Sequence, residues 1–364
     1  MNKTLKENNL KHRGSFFSSL TKRPEFGSLV GLIVLWTFFS IAANKNGFNS
    51  LIIFKSILNL SVSIGVIAVV ATLLLISGEF DISVGSMVGA TSVLLAACIV
   101  VWGLPLWLSL IITFAFALLY GFIQGIIVVK TKIPSLIVTL GGLFFLRGLT
   151  YGSAKTLVKR GIISGVNKGL QDNLLFKIFG GRIFDFPTSI VWWIVIAALT
   201  YFILRKTRFG SWIFATGGNE LAAKALGVPT DRVKIILFMA TAAAVALISS
   251  SQTLMLGSAD TLRGTSREME VIITVVIGGT LISGGYGSPI GTFLGCITLG
   301  LLRQGIYMLD VPFEWYQAVL GIVLIIAVLY FVYKSSWPDK TPLIAVFILL
   351  SSAVSFCLHP ETTS

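Results

Sequence analysis

Six carboxylates lie beside long apolar runs of this sequence, and they are the first residues to consider for chemistry. They form three pairs, Glu79 with Asp81, Glu268 with Glu270, and Asp310 with Glu314. Burial of an ionisable side chain within a membrane is costly, so each pair is a functional candidate. All six map to the ends of apolar runs. Because an ion-coupled carrier usually has a carboxylate deep inside a helix, this pattern argues weakly against such a carrier.

The first pair lies in the stretch "GEFDISVGS", which starts at Gly78. Gly78 ends one apolar run, Asp81 or Ser83 can cap the next helix, and Gly85 permits close helix contact. A carboxylate at a helix N-terminus is stabilised by about 0.3–1 kcal/mol. Two interpretations stay open. Asp81 is a structural cap, or Glu79 and Asp81 line a gate beside a translocation path.

A second glycine loop contains Gly284, Gly285 and Gly287. Its lead-in "LISGGYG" aligns with "LISGEFD" of the first loop. The similarity fits an internal duplication, as transporters are often built from repeats. It fits equally well a chance likeness between small-residue helix ends. The three glycines join the first loop as gate candidates.

Other chemistries find no support in the sequence. The segments "GGNELAAKALG" and "SGGYGSPIG" lack the Lys-Ser/Thr ending of a phosphate-binding loop, and no G-x-S-x-G frame is present. Cys98, Cys296 and Cys357 stand singly, so neither a disulfide framework nor a metal site is indicated. The net charge of +13 is spread over loops, unlike the concentrated basic face of a nucleic-acid binder. We expect no catalytic residues and no cofactor bound by this chain.

The elements that position these residues are membrane helices. The chain of 364 residues is 55% hydrophobic and only 12% charged. About 20 apolar residues cross a bilayer, and such runs must be helical because backbone groups cannot stay unpaired in lipid. We therefore predict an all-α integral membrane protein with about ten spans, and a possible eleventh at 342–358. The ten predicted spans are 28–43, 56–77, 83–101, 105–129, 133–151, 187–204, 234–256, 268–283, 289–309 and 314–333.

Lysine and arginine indicate the orientation. With a cytoplasmic N-terminus, the inside segments hold 16 of these residues and the short outside segments hold six, including Arg147, Arg267 and Arg303. We predict a basic cytoplasmic tail over 1–27, a membrane domain over 28–333, and a C-terminal extension over 334–364.

The loop at about 205–234 has a pattern of its own. Asn219 is predicted to cap a short amphipathic helix, Glu220 occupies its first turn, and Gly227 with Pro229 ends it. A short helix with a glycine stop is suited to dock in a partner's groove. The alternative is an ordinary surface helix between two spans.

Three stretches together carry a family resemblance. "SGEFDISVGS", "GGNELAAKALGVPTDRVK" and "VVIGGTLISGGYGSPIGTFLGCITLGLL", in this order, resemble the permease subunits of ribose-type ABC sugar importers. The resemblance covers most of residues 50–333. It implies a bacterial inner-membrane permease of the type II-like importer fold that dimerises with itself or a related permease. It also implies a separate cytoplasmic ATPase that binds ATP and Mg, and an extracytoplasmic sugar-binding protein.

The resemblance also assigns roles to residues. The segment from Gly217 to Gly227 corresponds to the family's ATPase-coupling loop, in which Lys224 could also meet acidic groups on the ATPase, as could Arg232 and Lys234. The implied coupling residues are Gly217, Gly218, Asn219, Glu220, Ala222, Ala223, Lys224 and Gly227. At the opposite face, Asp310, Glu314 and Gln317 could contact the binding protein.

Two alternatives to a sugar importer stay open. Related ABC permeases carry branched-chain amino acids, nucleosides or furanosyl signalling molecules, although "DISVG" favours the sugar branch. An ion-coupled secondary carrier would use Glu79 or Asp81 as its coupling carboxylate. A sodium or proton gradient alone would then drive uptake.

Overall fold

The computed structural model describes residues 24–312 and 314–336, with side chains in the last helix up to Ile325. Within these residues the chain is an all-α bundle, as predicted, and it also contains four short strands that were not predicted. The helices are α1 Pro24–Ala42, α2 Leu51–Ile76, α3 Val84–Ala96 with a π-helical extension Ala97–Val101, α4 Leu106–Thr131, α5 Ser135–Val158, α6 Leu174–Gly180, α7 Ser189–Lys206, α8 Arg208–Gly218, α9 Glu220–Ala225, α10 Thr230–Leu256, α11 Arg267–Ile277, α12 Pro289–Met308 and α13 Glu314–Ser336.

Eight helices within the described residues are long and apolar enough to cross a membrane: α1, α2, α3 with its extension, α4, α5, α7, α10 and α12. Helices α2 and α3 lie at the centre of the bundle, where most of their residues are buried. Helices α5 and α7 instead expose large aliphatic side chains over their length. A helix that is apolar on its outward face is stable only against lipid, so this surface is the membrane-facing one.

The two ends of the bundle differ in structure. We call the end where α2 stops and α12 starts the inner end. At the opposite, outer end, strand β1 (Ile162–Ser164) pairs antiparallel with β4 (Ser258–Asp260). A second antiparallel pair joins β2 (Arg182–Ile183) to β3 (Phe186–Pro187). The first pair ties the loop after α5 to the segment that follows α10.

The crossing predicted at 268–283 is broken. Helix α11 has only 11 residues, and positions 278–288 form an irregular loop before α12. At 1.5 Å per residue α11 is about 16 Å long, roughly half of the hydrocarbon thickness. Its first residue, Arg267, donates a hydrogen bond to Ser63 at the middle of α2. Arg147, midway along α5, likewise reaches Thr265 just before α11. Helix α11 therefore starts at mid-depth and runs toward the inner end.

Other predicted boundaries shift in detail. Helix α1 begins at Pro24, so the last residues of the predicted tail 1–27 are helical, and its first 23 residues lie outside the described part. The predicted span 314–333 corresponds to α13. The possible helix at 342–358 lies outside the described residues. Arg147 and Arg303, predicted in outside segments, lie within α5 and α12.

Candidate functional site

Three glycine-containing segments that are far apart in sequence meet at the inner end. They are the turn after α2 with Gly78, the end of α8 with Gly217, and the loop before α12 with Gly284 and Gly285. The amide of Gly285 donates a 2.8 Å hydrogen bond to the carbonyl of Ile76. We call these four glycines the glycine junction. It unites one landmark from each of the three stretches that define the sequence pattern.

The junction depends on missing side chains. A Cβ atom added to Gly217 would lie 1.7 Å from the carbonyl oxygen of Ile76. Gly284 has a φ of +82°, and a Cβ atom added to it would lie 3.0 Å from the Cα of Gly78. The backbones therefore touch directly, and only glycine fits at Gly217 without displacing a neighbour.

The remaining predicted glycines lie elsewhere. Gly85, in the first turn of α3, packs against the carboxylate of Glu268 and the carbonyl of Gly264. Gly287 faces the side chain of Thr280. Gly218 adjoins the junction, but a Cβ there would meet open space. The gate candidates thus fall into two groups, one at the inner end and one nearer mid-depth.

Helix α9 is a short, capped helix on the surface, as predicted. The Asn219 side chain accepts a 3.0 Å hydrogen bond from the amide of Ala222, and Gly227 follows the helix with a φ of +81°. Leu221 and Leu226 are 82% and 85% exposed. Ala223 is buried against the bundle, whereas Ala222 faces outward. Two leucines of this segment are therefore exposed, and Ala223 packs against the bundle.

Five alternating charges join α9 to the first loop and to α10. The ammonium of Lys234 lies 2.6 Å from Glu79 and 2.7 Å from Glu220. The ammonium of Lys224 lies 2.9 Å from both Glu220 and Asp231. We call this set, from Glu79 to Asp231, the charge chain. Lys224 and Lys234 have partners within the chain itself, so the expectation that they meet acids of another protein is not needed to account for them.

The charges fix the protonation of the surface members. Burial alone would raise the pKa of Glu220, but hydrogen bonds and charges from Lys224 and Lys234 outweigh it and lower that pKa below its ordinary value. Hydrogen bonds to Glu220 and Asp231 raise the pKa of Lys224. Both Glu220 and Lys224 are therefore ionised across the physiological pH range.

Asp81 binds the residue at which helix α3 begins, since Ser83 occupies the N-cap position of that helix. Its Oδ1 accepts hydrogen bonds from the Ser83 amide at 2.9 Å and the Ser83 hydroxyl at 2.6 Å. The same Ser83 oxygen accepts from Gln124 of α4 at 3.1 Å. Burial raises the pKa of Asp81 to about 6, and the bonds from Ser83 oppose this rise. Asp81 thus closes the turn before α3, and no side chain among the described residues caps the helix itself. A structural role in this turn remains a prediction. A role beside a translocation path stays a prediction.

A polar cluster at mid-depth was missed by sequence reasoning. Glu270, in the first turn of α11, lies 3.7 Å from Arg267 and 3.6 Å from Arg303, and accepts a hydrogen bond from Tyr316. Glu268 is buried, and its Oε2 has no hydrogen-bond partner within the described residues. The sequence showed both acids at the end of an apolar run. Because that run is only half a span long, its end lies inside the bundle.

Glu268 and Glu270 therefore lie inside the bundle and not at a membrane surface. The absence of a carboxylate deep in the bundle was the sequence-based reason to disfavour an ion-coupled carrier, and that reason is wrong. The class of the protein has to be decided on other grounds.

Those grounds are the fold and its comparisons with known proteins. The described residues form a bundle of apolar helices with one broken crossing, which is the architecture of a polytopic membrane protein. The chain belongs to the family described as "Branched-chain amino acid transport system / permease component", whose pattern matches residues 53–328. The chain is therefore a permease subunit of an ABC transporter, as the three stretches predicted.

Individual relatives extend over nearly the whole chain. It is 34% identical over 305 residues to the "Probable ABC transporter permease protein YphD" of Escherichia coli, covering 84% of this chain and 88% of that one. It is 32% identical over 306 residues to the ribose import permease protein RbsC of Escherichia coli, covering 83% and 92%. It is 29% identical over 352 residues to the xylose transport system permease protein XylH of Haemophilus influenzae, covering 82% and 94%. No solved structure matches the chain.

Proposed function

We propose that this chain forms the translocation path of a binding-protein-dependent ABC importer for a pentose or a similar small sugar. The observation that carries the proposal is the charge chain joined to the glycine junction. It links the surface helix α9 to the loop of Glu79 within a chain whose relatives include ribose and xylose permeases. ATP and Mg would bind to a separate cytoplasmic ATPase subunit.

Helix α9 is the docking element of this proposal. Leu221 and Leu226 project from a polar loop outside the membrane spans, where isolated leucines gain nothing from lipid. Apolar anchors on a short helix are what a groove in a partner protein binds. The buried Ala223 and the cap at Asn219 hold the helix against the bundle, so a displacement of the partner displaces α9 as a unit.

The transmission from α9 inward has two parallel routes. One is electrostatic, from Glu220 through Lys234 to Glu79 in the first loop. The other is through the backbone, from Gly217 at the end of α8 to Ile76 and Gly285. The first route ends on the segment that connects α2 to α3, and the second ends on the last residue of α2 and the loop before α12. Movement of α9 by an ATPase would therefore shift the inner ends of the two central helices.

The remaining partners follow from the same arrangement. Asp310 follows α12, and Glu314 and Gln317 lie in the first turns of α13. All three are exposed at the outer end, where an extracytoplasmic binding protein would dock. In this orientation the protein lies in a bacterial inner membrane, and its inner end and N-terminus face the cytoplasm. A second permease copy would complete the path.

Transport assays test the proposal. Vesicles with this chain are supplied with a candidate ATPase and binding protein, and labelled ribose and xylose uptake is measured with ATP or with an ion gradient. Uptake that requires all three proteins and ATP is expected. Uptake by the chain alone on a proton or sodium gradient would overturn the proposal in favour of an ion-coupled carrier, with Glu268 and Glu270 as its first candidates.

Docking is tested separately by co-purification of the ATPase. The double variant Leu221→Asp with Leu226→Asp should lose the ATPase, because it places charge in an apolar contact. Leu174→Asp is the matched control, since Leu174 is 70% exposed at the outer end. Equal loss in both variants would indicate general damage, and no loss in either would refute α9 as the docking element.

A further inference from the structure

A lateral groove opens on the membrane-facing surface at the inner end, between α1, α7 and α12. It encloses about 650 Å³. Its walls are apolar, and Arg205 and Lys206 stand at one end of it; the apolar side chains are Phe26, Leu29, Ile290 and Leu294. Nothing in the proposed transport route uses this groove, and the inference below does not rest on that route.

A smaller cavity of about 220 Å³ continues the groove toward the middle of the membrane. It shares Tyr201 and Ile290 with the first cavity and adds Ala197, Ala198 and Phe293, which offer no charge. Since α7 ends at Lys206 on the inner side, Ala197 lies about two turns deeper. The combined groove is polar where the membrane meets water and apolar below.

Charge at the polar end is unbalanced. Glu25 is the acid of the lining, and its Oε1 already accepts a 2.6 Å hydrogen bond from Ser288. Arg205 is 3.9 Å from the same oxygen, beyond hydrogen-bond distance. The guanidinium and the Lys206 ammonium both stand at the exposed rim. Two cations face one engaged carboxylate, and the rim carries a net positive charge.

We propose that this groove binds an anionic phospholipid. Arg205 and Lys206 take the headgroup phosphate, for which arginine offers a fork of donors. One acyl chain lies along Leu29, Ile290 and Phe293 toward the middle of the membrane. Basic pockets between membrane helices at the cytoplasmic face are the sites that bind acidic lipid headgroups.

Charge disfavours the two other occupants. The N-terminal segment 1–23 carries six lysines and arginines against one glutamate, so it is repelled by the rim. A second copy of a chain with a net charge of +13 would bring a further basic inner end to the groove. A diacyl phosphate supplies both the negative charge and the apolar length.

Native mass spectrometry of the full chain in detergent, with added phosphatidylglycerol, tests the proposal. The double variant Arg205→Gln with Lys206→Gln should bind the lipid about 30-fold more weakly, since each cation near acidic lipid contributes about fivefold. The matched control is Lys130→Gln with Lys132→Gln, two exposed cations at the inner end of α4. Equal loss in the control variant, or none in the test variant, would overturn the proposal.

A second variant keeps the charges and fills the groove. Leu29→Trp should reduce the bound phosphatidylglycerol and abolish the rise in thermal midpoint that this lipid gives the parent protein. An equal rise with phosphatidylethanolamine would refute the preference for an anionic lipid. Cross-linking of two chains through Leu29→Cys, in a Cys357→Ser background, would instead assign the groove to a contact between copies.

Discussion

The glycine junction and the start of α11 both join separate segments inside the bundle, but they are held in different ways. At the inner end backbones touch, and the links of the charge chain measure 2.6–2.9 Å. At mid-depth the pairs of Glu270 measure 3.6 and 3.7 Å, and Glu268 Oε2 has no hydrogen-bond partner within the described residues. Close backbone contact fixes a geometry, whereas long ion pairs can rearrange. We therefore expect the inner end to move as a rigid unit, and the ion pairs at the start of α11 to rearrange when it moves.

The largest effect is expected for Gly217→Ala. The new Cβ would lie 1.7 Å from the Ile76 carbonyl, and backbone cannot withdraw as a side-chain tip can. Overpacking costs about 1–3 kcal/mol or more. Folded yield and thermal midpoint should fall sharply. Gly218→Ala, next to it and facing open space, is the control. If both variants behave like the parent, the junction is not a rigid contact.

Lys234→Met should have the next largest effect. It leaves Glu79 and Glu220 facing each other without the cation between them, at a cost of about 2 kcal/mol. Because Lys224 still holds Glu220, the protein should fold and bind the ATPase. ATP hydrolysis should continue, but it should no longer drive sugar uptake at the parent's rate. Lys234→Arg should restore part of the coupling, and Lys130→Met serves as control. Normal uptake by Lys234→Met would show that the backbone route alone suffices.

A smaller loss is expected for Gly85→Ala at the start of α3. Its Cβ would lie 1.8 Å from Glu268 Oε2, but this oxygen ends a flexible side chain. Thermal stability should fall less than in Gly217→Ala, and Glu268→Ala should recover part of it. Full recovery is not expected, since the Gly264 carbonyl would remain 2.6 Å away. A loss as large as that of Gly217→Ala would mean that both regions are equally rigid.

The smallest effect concerns pH and Asp81. Burial raises its pKa from an unfolded value of 3.8 to about 6, so the folded protein binds the extra proton between these values. The stabilisation from this group is complete below pH 3.8 and is lost as pH rises through 6. Glu220 behaves oppositely because its pKa is lowered in the folded protein. Its contribution to stability is present above the ordinary pKa of a glutamate and is lost as the pH falls through the lowered pKa.

Thermal midpoints of the parent and Asp81→Asn between pH 4 and pH 7 check this expectation. Asparagine keeps the acceptor for Ser83 and removes the titration, so the variant's curve should be flatter through pH 6. An unchanged slope would assign the pH dependence to other groups.

The sequence predicted the inner end better than the middle. The cap at Asn219 and the stop at Gly227 follow local rules of helix ends, and local rules can be read from a single stretch. The contact of Gly217 with Ile76 and Gly285 could not be read in this way, because it joins segments that are distant along the chain. The similarity between "LISGEFD" and "LISGGYG" was the only sequence feature that linked two of these segments.

The missed features have more than one physical cause. Hydropathy measures how apolar a run is, not whether it stays helical for a full span, so 268–283 was predicted as one crossing. That error moved Glu268 and Glu270 to a membrane surface in the prediction. Arg303 was counted in an outside segment although it falls inside the predicted span 289–309, where the structure has α12. Lys234 was read as a surface charge because its partners Glu79 and Glu220 come from two other loops.

The strand pairs at the outer end decide where the protein can be labelled. Residues 258–260 are paired with 162–164 and lie only seven residues before α11, so a tag inserted in either strand would pull on the mid-depth helix. The turn between β2 and β3 is different. Phe184 is 92% exposed there, and neither Phe184 nor Asp185 is part of the first pair. An epitope or fluorophore at this tip would report which side of the membrane it occupies while leaving the broken crossing undisturbed.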